Sequence, residues 1–134
     1  MKYLLDSSAW LAHLFGEPGV DQVNQFFADE DVQVSICALS IVEVFTRLKA
    51  IGRQAHWVEV WGIYKDIFDS VIAVDEVIAH QALRLRTLST ERLPTIDGLI
   101  AAAALVGDLT LVHRDPHLTA IDDAALKRIL LPSK

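Results

Sequence analysis

Cysteine is almost absent: Cys37 is the only one in 134 residues, which excludes an internal disulfide and any Cys-rich metal site. It sits in the apolar run 34–39 and reads as a small core residue. Long hydrophobic stretches are lacking too. The best candidate, residues 99–106, falls far short of the roughly 20 residues needed to span a bilayer, so no membrane role is expected. Between Lys2 and Asp6 lie only three apolar residues, which leaves no room for a secretory signal core. These absences point to a reducing cytoplasm. Positive charge is also scarce, with a net charge of −6. Residues 1–46 carry seven acids (Asp6, Glu17, Asp21, Asp29, Glu30, Asp31, Glu43) against Lys2 alone. A passive, basic-patch phosphate binder is thereby excluded; contact with nucleic acid would need a cation or a local cluster of basic residues.

What the chain has in quantity is apolar surface. A hydrophobic share of 52% and a mean hydropathy of +0.33 suggest a buried sheet covered by helices. The length suits one domain spanning residues 1–134, and neither linkers nor repeats divide it. Short apolar or β-branched runs at 3–5, 32–36, 70–74 and 109–112 read as strands, with 128–131 as an edge strand. Between them lie helical patterns: from Ser7 or Ser8 as cap to Phe15, then 19–30, then from Ala38 or Ser40 to Gly52, then 55–68. Two more start at Asp75 and at Thr95, the latter as cap of an alanine-rich helix. The order predicts an α/β fold, with a central, mostly parallel sheet of four to five strands and helices on both faces.

In such a sheet the functional crevice lies beyond the carboxyl ends of the strands. Asp6 follows the first strand directly and Asp115 follows the fourth. Asp97 opens the helix leading into that fourth strand. Glu43 sits near the start of the helix after the second strand, among Ile41, Val42, Val44 and Phe45. Each acid has a local structural use as well. Asp6 and Asp115 can cap helices, Asp97 suits a helix first turn, and Glu43 can pair with Arg47 at i+4. Four such coincidences on one sheet edge are harder to accept together than singly. Four carboxylates repel one another, and a divalent cation resolves the conflict. All-oxygen ligation favours Mg²⁺ or Mn²⁺, and the chemistry suggested is metal-assisted hydrolysis of a phosphate ester.

The stretches Tyr3-Leu4-Leu5-Asp6-Ser7-Ser8-Ala9, Ser40-Ile41-Val42-Glu43-Val44, Leu93-Pro94-Thr95-Ile96-Asp97-Gly98-Leu99-Ile100-Ala101-Ala102 and Leu111-Val112-His113-Arg114-Asp115-Pro116-His117-Leu118 resemble the PIN-domain ribonucleases. The likeness is greatest to the VapC-type toxins of toxin–antitoxin modules. It implies a single PIN-like domain and a Mg²⁺- or Mn²⁺-dependent endoribonuclease, with Asp6, Glu43, Asp97 and Asp115 as catalytic and metal-binding acids. It also implies an RNA substrate, silencing by a cognate antitoxin, and a homodimer. Ser7 matches a hydroxyl the family often carries beside the first acid. His113 departs from the family's usual Thr or Ser, and reads as a structural residue at a strand end. Arg47, Lys49, Arg53, Arg84, Arg86, Arg92 and Arg114 could contact phosphates, and Trp10, Phe15, Trp57 and Trp61 could line a partner groove or dimer face.

Two other readings compete. An acidic-site phosphatase of the haloacid-dehalogenase type would need a second Asp where Ser8 stands, and a receiver domain would want an early acidic pair and a late lysine near Arg114. A non-catalytic partner-binding module of the same fold would have no need of all four acids.

Overall fold

The computed structural model describes all 134 residues. Five strands form one sheet: β1 (Lys2–Leu5), β2 (Gln33–Cys37), β3 (Ser70–Ile72), β4 (Thr110–His113) and β5 (Arg128–Leu130). They lie in the order β3-β2-β1-β4-β5, and every pairing is parallel. The helices are α1 (Ser7–Phe15), α2 (Val20–Ala28), α3 (Ala38–Ala50), α4 (Trp57–Ile67), α5 (Glu76–Leu88) and α6 (Thr95–Val106). Two short 3-10 turns, Gln54–His56 and Pro116–Ala120, complete the set.

Side chains alternate across each strand, so the sheet builds a separate core on each face. Tyr3, Leu5, Val34, Ile36 and Val112 point towards α1–α4, where Trp10, Val44, Leu48, Tyr64 and Phe68 meet them. Leu4, Cys37 and Leu111 point the other way, against α5, α6 and Leu118. Cys37 is fully buried there, as its place in an apolar run predicts. Helix α6 is the most enclosed helix: Ala101, Ala102, Ala103 and Ala104 are each at most 1% exposed. Their small side chains let its backbone lie close to α5 and the sheet.

Element ends depart from the expected pattern for local reasons. Asp6, rather than Ser7 or Ser8, caps α1, and Gly16 closes that helix in the left-handed region at φ 64°. Pro94 occupies the cap position of α6, so Thr95 is its first helical residue and makes no capping bond. Glu43 lies in the second turn of α3, because Ala38 already starts that helix. Trp10 is fully buried against Tyr64 and Phe68, so it belongs to the core and not to a partner face. Val42, Val77 and Leu83, apolar by type, are 62%, 57% and 60% exposed and lie outside both cores.

Strand order sets where a site can form. From β1 the chain moves outward to β2 and β3, then returns to place β4 on the other side of β1. The segments after β1 and β4 leave towards opposite faces: α1 joins one core, while Leu118 joins the other. A crevice therefore opens between the carboxyl ends of β1 and β4.

Close packing of α6 gives a direct test. Ala102→Leu should cost about 1–3 kcal/mol by overpacking, whereas Val106→Leu, at a position 43% exposed, should change stability by less than about 0.5 kcal/mol. Chemical denaturation of the two variants measures the difference; equal effects would mean that α6 is not tightly enclosed.

Candidate active site

The crevice between β1 and β4 is walled by acids. Asp6 follows β1 directly, and its own backbone N–H donates to the Val112 carbonyl at 3.0 Å and ties the chain after β1 to β4. Its Oδ1 accepts from the Ala9 backbone N–H at 2.8 Å and from the Ser8 hydroxyl at 2.7 Å. Ser8 Oγ in turn accepts from the Arg114 backbone N–H at 2.9 Å, so one hydroxyl bridges the chain after β1 and the chain after β4. Burial raises the Asp6 carboxyl to about 7 despite these donors, with the Asp97 and Asp115 charges adding to the rise.

Asp97 projects from the first turn of α6 and is half-buried. It accepts no hydrogen bond from an N–H or hydroxyl. Burial raises it to about 6, followed by the charges of Asp115 and Glu43 and a hydrogen bond to Asp115 that favours its protonated form; His117 opposes the rise. Asp115 caps the turn Pro116–Ala120, its Oδ1 accepting from the His117 backbone N–H at 2.9 Å. Capping and membership of the acidic group thus coexist in Asp6 and Asp115.

Glu43 enters from α3. It does not pair with Arg47; its Oε1 accepts from Ser7 Oγ, which also lies 2.9 Å from the buried Ser40 hydroxyl. A hydroxyl has one proton, and a carboxylate can only accept. Ser7 therefore gives its proton to Glu43, and Ser40 supplies the second bond. That relay fixes Glu43 against α1.

The tightest grouping is Asp97, Asp115 and His117, whose ligand atoms all lie within 4.8 Å of one another. His117 Nδ1 is 2.8 Å from Asp115 Oδ1 and 3.9 Å from Asp97 Oδ2. Asp6 and Glu43 stand outside this trio, yet each bears electrostatically on a member of it. His117 was not singled out in the sequence. The only sign of it was position, two residues beyond Asp115. His113, by contrast, is fully buried, its Nδ1 bonded to the Asp115 carbonyl at 2.9 Å and its charged form disfavoured by burial. It positions the Asp115 backbone and cannot reach a substrate.

The basic residues divide into two groups. The Arg114 guanidinium is 11% exposed and pairs with Glu17 at 2.8 Å, and Arg84 pairs with Asp123 at 2.6 Å. Arg47, Lys49, Arg53, Arg86 and Arg92 are exposed and make no ion pair. Beside the acids, a cleft of about 220 Å³ is lined by Ser8, Leu11, Phe15, Glu17, Arg47, Arg114 and Lys134. One carboxylate there faces three cations.

The donor set fits a hard divalent cation. Carboxylate oxygens predominate, two of the acids are held partly protonated by burial and mutual repulsion, and Asp97 has free oxygens. The sign of the pH effect follows. Asp6 and Asp97 are raised from 3.8 to about 7 and about 6, so the metal-free fold binds protons more tightly than the unfolded chain. Their contribution to stability is full below about 4 and is lost as pH rises through about 6 to 7. In EDTA, Tm at about pH 8 should therefore increase in Asp97→Asn, with little change at about pH 4. Thermal unfolding across pH checks this; a lower Tm for the variant at pH 8 would contradict the repulsion.

Comparison with known proteins identifies the family and the fold. The PIN domain model matches residues 3–124. Comparison with curated protein sequences gives no match. Among solved structures, VapBC2 from Rickettsia felis bound to a promoter DNA fragment superposes with a TM-score of 0.80, at 15% identity, covering 98% of this chain and 100% of that one. VapBC-1 from nontypeable Haemophilus influenzae gives 0.75, at 15% identity over 97% and 98%. FitAcB from Neisseria gonorrhoeae gives 0.73, at 22% identity over 96% of each chain. At such identities the structures speak to fold. The family match runs through β1, α3, α6 and β4, the elements around which the four acids are set, and the chain belongs to the PIN-domain family.

Proposed function

We propose that this chain is a divalent-metal-dependent endoribonuclease, residues 1–134 forming one nuclease unit, and that it is the toxin of a toxin–antitoxin pair. The observation that carries the catalytic part is the convergence of Asp6, Glu43, Asp97 and Asp115 on the β1/β4 crevice, with two of them raised to about 7 and about 6. Carboxylates under that repulsion are poised to exchange protons for a cation.

Asp97 and Asp115 hold the ion, with Asp6 closing the site from β1. Glu43, held by Ser7, completes the acidic wall. When bound, Mg²⁺ or Mn²⁺ supplies charge neutralisation at a phosphoryl oxygen and activates water for in-line attack on the phosphodiester. The chain's own task is to align the RNA backbone over these acids. The cleft lined by Arg47, Arg114 and Lys134 suits this, because its cations lie next to Ser8 and hence next to Asp6. Single-stranded RNA is the favoured form, since RNA recognition usually targets unpaired segments whose bases and backbone are accessible.

The antitoxin part draws on structural neighbours described as toxin–antitoxin complexes, including one from Klebsiella pneumoniae with a TM-score of 0.67. A partner would cover the acidic crevice and the adjoining surface of α1, α3 and α4, where Phe15, Trp57 and Trp61 are half-buried and Val42 and Val58 are exposed. The protein would work as a homodimer in the cytoplasm, where RNA and antitoxin are both made.

Cleavage of single-stranded RNA should require Mg²⁺ or Mn²⁺ and stop in EDTA. Asp97→Asn removes several kcal/mol of metal-mediated stabilisation, a loss of roughly 10²-fold or more in rate, with circular dichroism unchanged. Undiminished cleavage by this variant would remove Asp97 from the site.

A further inference from the structure

His117 is the one imidazole at the acidic rim, and the reaction as described gives it no task. Its position is set by the turn Pro116–Ala120, in which Asp115 Oδ1 accepts from the His117 backbone N–H. The same Oδ1 lies 2.8 Å from Nδ1, so ring and backbone converge on one carboxylate. Asp97 Oδ2, from the first turn of α6, stands 3.9 Å from that nitrogen. The side chain is 48% exposed.

The spacing suits shared ligation. Around an octahedral ion with bonds of about 2.1 Å, neighbouring ligand atoms sit about 3 Å apart and opposite ones about 4.2 Å apart. The Nδ1 distances of 2.8 and 3.9 Å fall within or close to that range, and all three ligand atoms lie within 4.8 Å. With its hydrogen on Nε2, the ring presents the Nδ1 lone pair to the two carboxylates.

Resting on the metal-site reading above, we infer that His117 is a nitrogen ligand of the same divalent ion, and that it turns the site's preference from Mg²⁺ towards Mn²⁺. An all-oxygen site suits Mg²⁺, a small hard ion that retains its water; imidazole nitrogen favours first-row transition metals. One nitrogen among the carboxylates therefore discriminates between two ions of equal charge. It also brings the segment after β4 into the site through two residues, Asp115 and His117.

The test uses full-length protein free of any polyhistidine tag and loaded with Mn²⁺. Electron spin-echo modulation should show coupling to a directly bound imidazole ¹⁴N. The coupling should vanish in His117→Ala and His117→Gln, both changes at an exposed position that leaves the fold intact. Removing an outer-shell partner already weakens metal binding 10–100-fold, so Mn²⁺ affinity should fall at least about tenfold in these variants. Mg²⁺ affinity, measured by competition, should change by less than about threefold. Mn²⁺ bound by the wild type without ¹⁴N coupling, or coupling that persists in both variants, overturns the inference while leaving the acidic site standing. An equal loss for both ions overturns the selectivity. If the wild type binds no Mn²⁺ at all, the metal-site reading itself fails.

Discussion

Repulsion between carboxylates at the meeting point of β1 and β4 is the constraint on which the rest of this structure turns. A parallel sheet with order β3-β2-β1-β4-β5 has one place where the chain after neighbouring strands departs to opposite faces, and the acids are set around it. Burying them there costs stability, as the raised Asp6 and Asp97 carboxyls register. The fold tolerates the arrangement because three of the four acids are tied down by other means. Asp6 caps α1, Asp115 caps a turn, and Ser7 and Ser40 hold Glu43. Asp97 alone lacks such a tie. It is therefore the acid whose environment a bound cation would change most.

The local charge balance also explains how an acidic chain can be read as a nuclease. Net charge describes the whole surface, whereas a substrate meets a cleft. Arg114 is largely enclosed by its pairing with Glu17, and Lys134 reaches the same carboxylate, yet the cleft they form with Arg47 still carries more positive than negative charge. Phosphate contacts need not come from a broad basic face. They can come from this one opening beside the acids.

Much of this was legible in the sequence because it depends on chain order. An acid directly after a strand must project beyond the sheet edge, so Asp6 and Asp115 could be placed without knowing any packing. Strand count, strand direction and the buried alanine helix followed from short apolar runs alternating with helical patterns. What remained hidden depends on neighbours distant in sequence. Whether Trp10 faced a partner or the core depended on Tyr64 and Phe68, more than 50 residues away. Whether Glu43 paired with Arg47 or with Ser7 depended on how α3 lies against α1. Val42, Val77 and Leu83 were exposed because apolar type constrains burial only weakly. His117 drew no attention for a similar reason: a lone histidine acquires meaning only when a turn folds it back onto Asp115 and Asp97.

The central claim is that these acids converge to hold a divalent cation. Anomalous diffraction from crystals soaked in Mn²⁺ tests it most directly. A single strong anomalous peak between Asp97 and Asp115, within bonding distance of their carboxylate oxygens, is the expected result. Ordered Asp97 and Asp115 side chains with no peak between them, at saturating Mn²⁺, would contradict it.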